Sequence, residues 1–180
     1  MAYLPNLIFC TLLIISVSFF TRNLKRIKRN IGLGRDLDRN DYPKLRMKNM
    51  LLLAFGQKKM INRPVVGILH LVVYVGFILI NIELLEILLD GIFGTHRLFA
   101  PYLGSLYNFL IAMFEIFALL VLVSVIFFWT RRNVSKIKRF WKSEMKGWPK
   151  QDADNILYFE VILMVLFLSM NATDSLLQNF

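Results

Sequence analysis

The 180-residue sequence contains one cysteine, Cys10, and two histidines, His70 and His96. One thiol cannot form a disulfide framework, and it cannot supply the cysteines that an iron–sulfur cluster or a structural zinc site needs. Two imidazoles limit any site that requires several nitrogen ligands. Hydrolytic motifs such as HExxH and a phosphate-binding GxxxxGK[ST] loop are also missing from these residues. The sequence therefore excludes cluster-binding, zincin-type and P-loop chemistry by this chain alone.

Apolar residues dominate what is present. They make up 57% of the chain, with 16 phenylalanines, whereas soluble domains are usually a little under half apolar. A soluble fold of this size cannot bury so much apolar surface. Four apolar runs approach the roughly 20 residues that a membrane-crossing helix needs. The sequence predicts an all-α, polytopic membrane protein that forms one membrane domain over residues 1–180, with transmembrane helices at about 3–20, 65–89, 103–129 and 155–170.

The basic residues are segregated from these runs. Of the 22 Lys and Arg residues, thirteen lie in the linker 21–64, eight lie in the linker 130–154, and the last is Arg97. By the positive-inside rule both basic linkers face the cytoplasm, which places the N-terminus outside. The basic cluster follows the first apolar run, the reverse of a signal peptide, so this run is predicted to be an uncleaved anchor. Topology explains the charge without nucleic acid, and the lipid bilayer is the predicted partner of the linkers.

Each linker contains amphipathic features. The stretch "MKNMLLLAFGQKKM" groups apolar residues between lysines and predicts a short helix in the membrane interface. The second linker carries Trp141 and Trp148, which are predicted to lie at the headgroup level.

The second apolar run carries His70 inside a hydrophobic helix. At 100° per residue, one stripe of this helix presents a set of polar, aromatic and small side chains: Arg63, Gly67, His70, Tyr74, Phe77 and Asn81. This pattern suits a haem b site, because an imidazole nitrogen is an axial ligand of haem iron.

In that site His70 would bind the iron, and its other ring nitrogen would donate to the carbonyl of Val66. Gly67 would leave room for the porphyrin edge, Tyr74 and Phe77 would line the macrocycle, and Arg63 would contact a propionate. His96 lies in the opposite loop, so the second axial ligand would come from outside this chain. The alternative is that His70 only forms a hydrogen bond to a neighbouring helix.

Glu115 lies near the middle of the third apolar run. A charged residue there costs about 2.5–3.5 kcal/mol, so we expect the side chain to face protein. It would carry a proton or bind a quinone together with Asn108, which shares its helical face. The alternative is a neutral acid whose hydrogen bonds are satisfied by Asn108 or another helix. Near the ends of the runs, Glu83 and Glu86 are expected to be solvated, and Glu160 is expected to pair with the basic linkers.

Two long phrases carry a resemblance to a known family. The stretch from "NMLLLAFGQKKMINRPVVGILHLVVYVGF" to "GTHRLFAPYLG", followed by "RRNVSKIKRFWKSEMKGWPK", resembles the membrane portion of bacterial (Fe–S)-binding oxidoreductases. Those proteins combine a nitrate reductase gamma-like cytochrome b domain with a heterodisulfide reductase-like iron–sulfur domain. The resemblance covers roughly residues 30–170.

The resemblance implies a module of the bacterial cytoplasmic (inner) membrane that passes electrons between the quinone pool and iron–sulfur or flavoprotein subunits through haem b. It also implies that His70 is a haem ligand. The family continues into cysteine-rich cluster motifs, so these 180 residues look like an N-terminal fragment, with the iron–sulfur clusters in a missing C-terminal region. A different class remains open, namely a non-redox membrane anchor or scaffold that binds a cytoplasmic partner through its basic linkers.

Overall fold

The structure is a computed structural model that describes residues 3–35, 40–58, 60 and 62–174. The described part of the chain consists of helices, turns and short connections. Its six α-helices are α1 (Leu4–Ile31), α2 (Pro43–Met50), α3 (Pro64–Phe93), α4 (Ala100–Leu103), α5 (Ser105–Asn133) and α6 (Trp148–Thr173). A π-helical turn, Leu51–Phe55, continues α2, and two 3₁₀ turns, Lys138–Trp141 and Ser143–Met145, lie between α5 and α6.

Proline and glycine mark the beginnings of these helices. Pro43 and Pro64 are the first residues of α2 and α3, a position where the missing N–H costs no hydrogen bond. Gly104 and Gly147 precede α5 and α6 with φ values of 53° and 78°. Only glycine adopts these left-handed conformations without steric cost, so both glycines fix where the long helices begin.

The prediction of four membrane-crossing helices is confirmed. Helices α1, α3, α5 and α6 are each long and apolar enough to cross a membrane. Large apolar side chains remain exposed along them, including Phe19 (68%) and Phe159 (70%). Soluble monomers rarely expose contiguous apolar surface on this scale. The interfacial position predicted for "MKNMLLLAFGQKKM" stays a prediction, although this stretch is helical through Phe55.

The helices extend beyond the predicted spans. Helix α1 continues through the basic residues to Ile31, and α6 begins at Trp148, seven positions before the predicted span. Hydropathy locates the lipid-facing part of a helix, but Lys, Arg and Gln are good helix formers and continue it outside the apolar part. Parts of both predicted basic linkers are therefore helical.

The described residues fall into two compact units. The first unit comprises the described residues within Met1–Gly56 and Leu85–Phe99. The second unit comprises the described residues within Gln57–Leu84 and Ala100–Phe180. In the first unit, Asn6 at the start of α1 donates from Nδ2 to the carbonyl oxygen of Gly91 in α3, at 3.0 Å. The ring of Phe9 covers Gly91, where an added Cβ would lie 2.5 Å from its Cε1 atom.

The second unit is built on the packing of α5 against α6. The buried side chains of α5 recur every three or four residues, as expected for one face of a helix. They are Tyr107, Ile111, Phe114, Ala118, Val121, Ser124, Val125 and Arg132. Helix α6 contributes the buried residues Met164, Phe167 and Asn171. Helix α3 joins them at Gly76, where an added Cβ would lie only 2.5 Å from Val121 Cγ2.

Candidate functional site

His70 lies in the first half of α3, inside the second unit. Its side chain is half-buried, and its Nδ1 atom is buried and has no hydrogen-bond partner among the described residues. The predicted bond from this ring to the carbonyl of Val66 is therefore not formed. A buried polar nitrogen without a partner is costly, so it needs an explanation such as a bound ligand, ion or water.

The His70 side chain lines a cavity of about 260 Å³. The cavity is bounded by the first turns of α3, the last turns of α5, the linker and the first turns of α6. Its walls are Val66, His70, Phe128, Arg131, Arg132, Phe140, Ala153, Ile156 and Leu157. We call it the His70 cavity. Two arginines in a largely apolar wall make it a site for an anionic or amphipathic ligand.

Arg132 has its charge compensated by protein. Its Nε lies 2.8 Å from Asp154 Oδ1 in an ion pair whose side chains are 10% and 15% exposed. Its Nη2 donates to the carbonyl oxygen of Lys150 at 3.1 Å. The same Asp154 oxygen accepts from Asn133 Nδ2 at 3.2 Å. This network joins the end of α5 to the start of α6 and fixes one wall of the cavity.

Arg131 is in a different situation. It is half-buried in the last turn of α5, and within the described ranges it makes no hydrogen bond or ion pair. Because Asp154 balances Arg132, the guanidinium of Arg131 leaves the cavity with an uncompensated positive charge.

The linker between α5 and α6 folds over this end of the unit. Arg132 lies over the Phe140 ring at 5.6 Å from its centroid. Lys150 Nζ lies 3.8 Å from the centroid of the Trp141 ring, and Lys136 Nζ lies 5.7 Å from it. Such cation–π contacts contribute about 0.5–1 kcal/mol each at exposed sites. They hold the linker in place as part of the site.

The other residues that were predicted to contact the haem differ in how far they are exposed. Gly67 is buried, Tyr74 is half-buried, Phe77 is 61% exposed and Arg63 is exposed. The cations that line the His70 cavity are Arg131 and Arg132, whereas Arg63 had been predicted as the propionate contact.

The chemistry of this site suits a haem better than its size does. The unpartnered nitrogen of His70 suits an axial ligand, and the arginines suit propionates. The cavity of about 260 Å³ is smaller than the roughly 300–1,000 Å³ of pockets that enclose drug-sized ligands. A haem bound to His70 would therefore be enclosed only in part by the described residues. In the described part of the chain no group of three or more His, Cys, Asp or Glu side chains could hold a metal ion directly.

Glu115 is half-buried near the middle of α5, and Asn108 is exposed. Among the described residues Glu115 makes no hydrogen bond or ion pair. The alternative in which Asn108 satisfies this acid is therefore wrong. The carboxyl group remains available to a ligand or to another helix.

The expectations for three other acids were wrong. Glu83 and Glu86 are 1% and 2% exposed rather than solvated, and Glu86 Oε1 accepts from the backbone N–H of Phe99 at 2.8 Å. Glu160 makes no ion pair with the described basic residues. Asp154 takes that role instead, because it lies nearer the end of α6 that meets the linker.

Sequence reasoning missed Arg131, Arg132 and Asp154. A signal was present, since two arginines end one apolar run and Asp154 immediately precedes the next. Helices joined by a short linker pack as antiparallel neighbours, which brings these ends together.

Comparisons with known proteins place the chain near one class of oxidoreductase. No protein-family model and no solved structure matches it. The chain is 27% identical over 133 residues to the "Probable iron-sulfur-binding oxidoreductase FadF" of Bacillus subtilis (strain 168). The match covers 74% of this chain but 18% of the relative, so the chain spans about a fifth of that protein's length. This chain, with its four apolar helices, is thus a distant and partial homologue of a protein named as an iron-sulfur-binding oxidoreductase.

Proposed function

We propose that this chain is the membrane module of an electron-transfer oxidoreductase that works with iron–sulfur partners. The similarity to a protein named as an iron-sulfur-binding oxidoreductase supports this class, and four apolar helices support a role in the bilayer. With one cysteine, these residues cannot hold a cluster themselves. The clusters would be carried by other protein, either a further region of a longer chain or a separate subunit, and a flavoprotein is a further candidate partner.

Within this module His70 would be an axial ligand of haem b. The observation that carries this proposal is the buried Nδ1 of His70, a residue that lines the cavity. This nitrogen has no hydrogen-bond partner in the part of the chain that the structure describes. Metal-bound histidines almost always donate their second ring N–H to an acceptor. Coordination through Nε2 would leave Nδ1–H for an acceptor in the cavity. Gly67, Tyr74 and Phe77 would contact the macrocycle, and protein outside the described residues would supply the second ligand and the remaining wall.

Bound haem b would carry single electrons, with its potential set by the axial ligands and the polarity around it. The described residues that contribute to that polarity are Arg131 and the Arg132–Asp154 pair on the wall of the cavity. Arg63 is exposed in the described unit, and it would reach a propionate only from outside the cavity.

A quinone would be the electron partner in the membrane. Glu115 supports this proposal because it is half-buried in the middle of an apolar helix and has no partner in the described ranges. A carboxyl group in that position can donate a hydrogen bond to a quinone oxygen, or accept one from the hydroxyl group of the quinol, and can carry its proton. Asn108 lies two turns away on the same face and would contact the same ligand from its exposed position.

The module would sit in a bacterial cytoplasmic membrane with its basic linkers inside. The distribution of 21 of the 22 cationic residues over two linkers supports this orientation.

The folded state of the second linker favours one other function. Cation–π contacts order the segment from Lys136 to Lys150, as a docking platform for an acidic protein would require. In this alternative the chain is a non-redox anchor or scaffold. It predicts no haem in the assembled protein.

Reduced-minus-oxidised absorption spectra of membranes separate the two functions. The longest natural form of the reading frame is expressed as wild type, His70→Ala and His96→Ala. Haem ligation by His70 predicts a haem b band that is lost in His70→Ala and retained in His96→Ala, because His96 is exposed in a loop outside α3. A wild type without a band favours the scaffold, and a band that survives in His70→Ala contradicts the assignment of the ligand.

A further inference from the structure

We propose that the His70 cavity binds the phosphate group of an acidic phospholipid, with Arg131 as the cation that recognises it. This inference goes beyond the proposed redox function because lipid binding through the charge of Arg131 needs no iron, although both proposals involve the His70 cavity. It assigns a ligand to the one arginine of the cavity wall whose charge the described protein leaves unbalanced.

The electrostatics of the cavity call for an anion. Arg132 is matched by Asp154, whereas Arg131 is half-buried and has no hydrogen-bond or ion-pair partner in the described part of the chain. A guanidinium that is partly removed from water is costly unless an anion meets it. Phosphate oxygens suit the planar donors of arginine, which bind them in pairs.

The size and lining of the cavity suit the phosphate group of a lipid. Its volume of about 260 Å³ equals that of roughly nine water molecules at about 30 Å³ each, which is room for a phosphodiester with its glycerol. Phe128, Ile156 and Leu157 supply apolar walls next to the charge. A free inorganic phosphate would leave these walls without contacts.

The acyl chains attached to that phosphate could pack against exposed apolar side chains on α5 and α6. Ile156, on the cavity wall, is 60% exposed, and Phe159, three residues further along α6, is 70% exposed. Phe127, which precedes the cavity residue Phe128 on α5, is 40% exposed. Arg131 is in the last turn of α5, where the apolar part of the helix ends and the basic linker begins. Basic pockets between membrane helices at this depth are typical sites for acidic lipid headgroups.

His70 would contribute to the same anion. Its buried Nδ1 has no partner within the described ranges, and as Nδ1–H it would donate to a phosphate oxygen. This use of Nδ1 is compatible with coordination of a metal through Nε2.

The test measures lipid binding to the purified, delipidated full chain by native mass spectrometry. Phosphatidylglycerol is titrated into detergent-solubilised wild type, with phosphatidylcholine and inorganic phosphate as comparison ligands. The variants are Arg131→Gln and, as a matched loss of charge at an exposed position of α1, Arg26→Gln. Because Arg131→Gln can impair folding, Ala153→Leu is a second variant, which fills the cavity and keeps the charge.

One phosphatidylglycerol is expected to bind per chain more tightly than phosphatidylcholine. Its affinity should fall about tenfold or more in Arg131→Gln, the amount expected for loss of a charged hydrogen bond. Ala153→Leu should weaken binding, and Arg26→Gln should leave it unchanged. Equal binding of the two lipids, equal affinity in Arg131→Gln and Arg26→Gln, or displacement by inorganic phosphate at matching concentration would overturn the proposal. A haem b band that is retained in Arg131→Gln, while lipid binding is lost, separates this site from the proposed redox function.

Discussion

Arg132 Nε and Asp154 Oδ1 lie 2.8 Å apart, and their side chains are only 10% and 15% exposed. The pair joins the last turn of α5 to the start of α6. Charges removed from water are favourable only when they are paired and further hydrogen-bonded. The Lys150 carbonyl and the Asn133 amide provide those additional bonds.

Asp154→Asn should destabilise the α5–α6 end of the second unit. A neutral partner leaves Arg132 buried without a counter-charge, and we expect a loss of about 2–3 kcal/mol, less than the roughly 3–5 kcal/mol for a fully buried pair because both groups retain some exposure. Thermal unfolding in detergent micelles measures this change. Asp152→Asn, at an exposed position two residues earlier, should have little effect. Equal stability of the two variants would contradict a structural role for the pair.

Hydropathy was sufficient to predict the four long helices because the bilayer sets their length. It did not locate their ends, since α1 runs through Lys25 and Arg29 to Ile31. A helix does not have to end where the lipid ends, because its hydrogen bonds continue in water. Capping residues and prolines set the helix ends instead, as Pro64 and Gly147 do at the starts of α3 and α6.

Only part of the candidate site could be predicted from the sequence. His70 could be found because a polar residue inside an apolar run is visible in one helix. Arg131 and Asp154 were missed because their roles depend on which helices pack together and on the path of the linker, although their positions at the ends of two consecutive apolar runs offered a signal. Similarly, the burial of Glu83 and Glu86 depends on how the chain folds around α3. The hydropathy pattern of α3 alone does not predict this burial.

Gly76→Ala should destabilise the contact between α3 and α5. The added methyl group would lie 2.5 Å from Val121 Cγ2, and the β-branched side chain of Val121 has little freedom to move within a helix. We expect a loss of about 1–3 kcal/mol, typical of overpacking, measured by unfolding in micelles.

Two variants control this prediction. Gly32→Ala adds a methyl group whose nearest neighbours are carbonyl oxygens at 3.5 Å, so it should be nearly neutral. In a Val121→Ala background the space is free, so Gly76→Ala should cost much less there than in the wild type. An unchanged cost in both backgrounds would show that Val121 is not the residue that restricts this position.

Asp90→Asn should loosen the loop that follows α3. Asp90 Oδ1 accepts from Thr95 Oγ1 at 2.6 Å and from the N–H of Leu98 at 3.2 Å, and Oδ2 accepts from the N–H of Arg97 at 2.8 Å. An amide offers one acceptor oxygen in place of two. Hydrogen exchange at the amides of Arg97 and Leu98 should accelerate about tenfold, because a bond to a charged acceptor contributes about 1.5–3 kcal/mol. Thr95→Val, which removes one bond, should have a smaller effect at both amides, and the reverse order would contradict this account.

Trp141→Leu should release the linker between α5 and α6. The substitution removes the ring that lies 3.8 Å from Lys150 Nζ and 5.7 Å from Lys136 Nζ, together with the bond from Nε1 to the Arg132 carbonyl oxygen at 3.4 Å. Loss of these contacts, at about 0.5–1 kcal/mol for each cation–π pair, should raise the open population of the linker several-fold. Trypsin cleaves after Lys and Arg, so limited trypsinolysis in micelles should cut between residues 134 and 147 correspondingly faster. Trp148→Leu removes an indole that is 74% exposed and should leave the rate unchanged. If both variants are cleaved at the rate of the wild type, the stacked lysines do not hold the linker, and the ordered basic platform that favours the scaffold alternative loses its support.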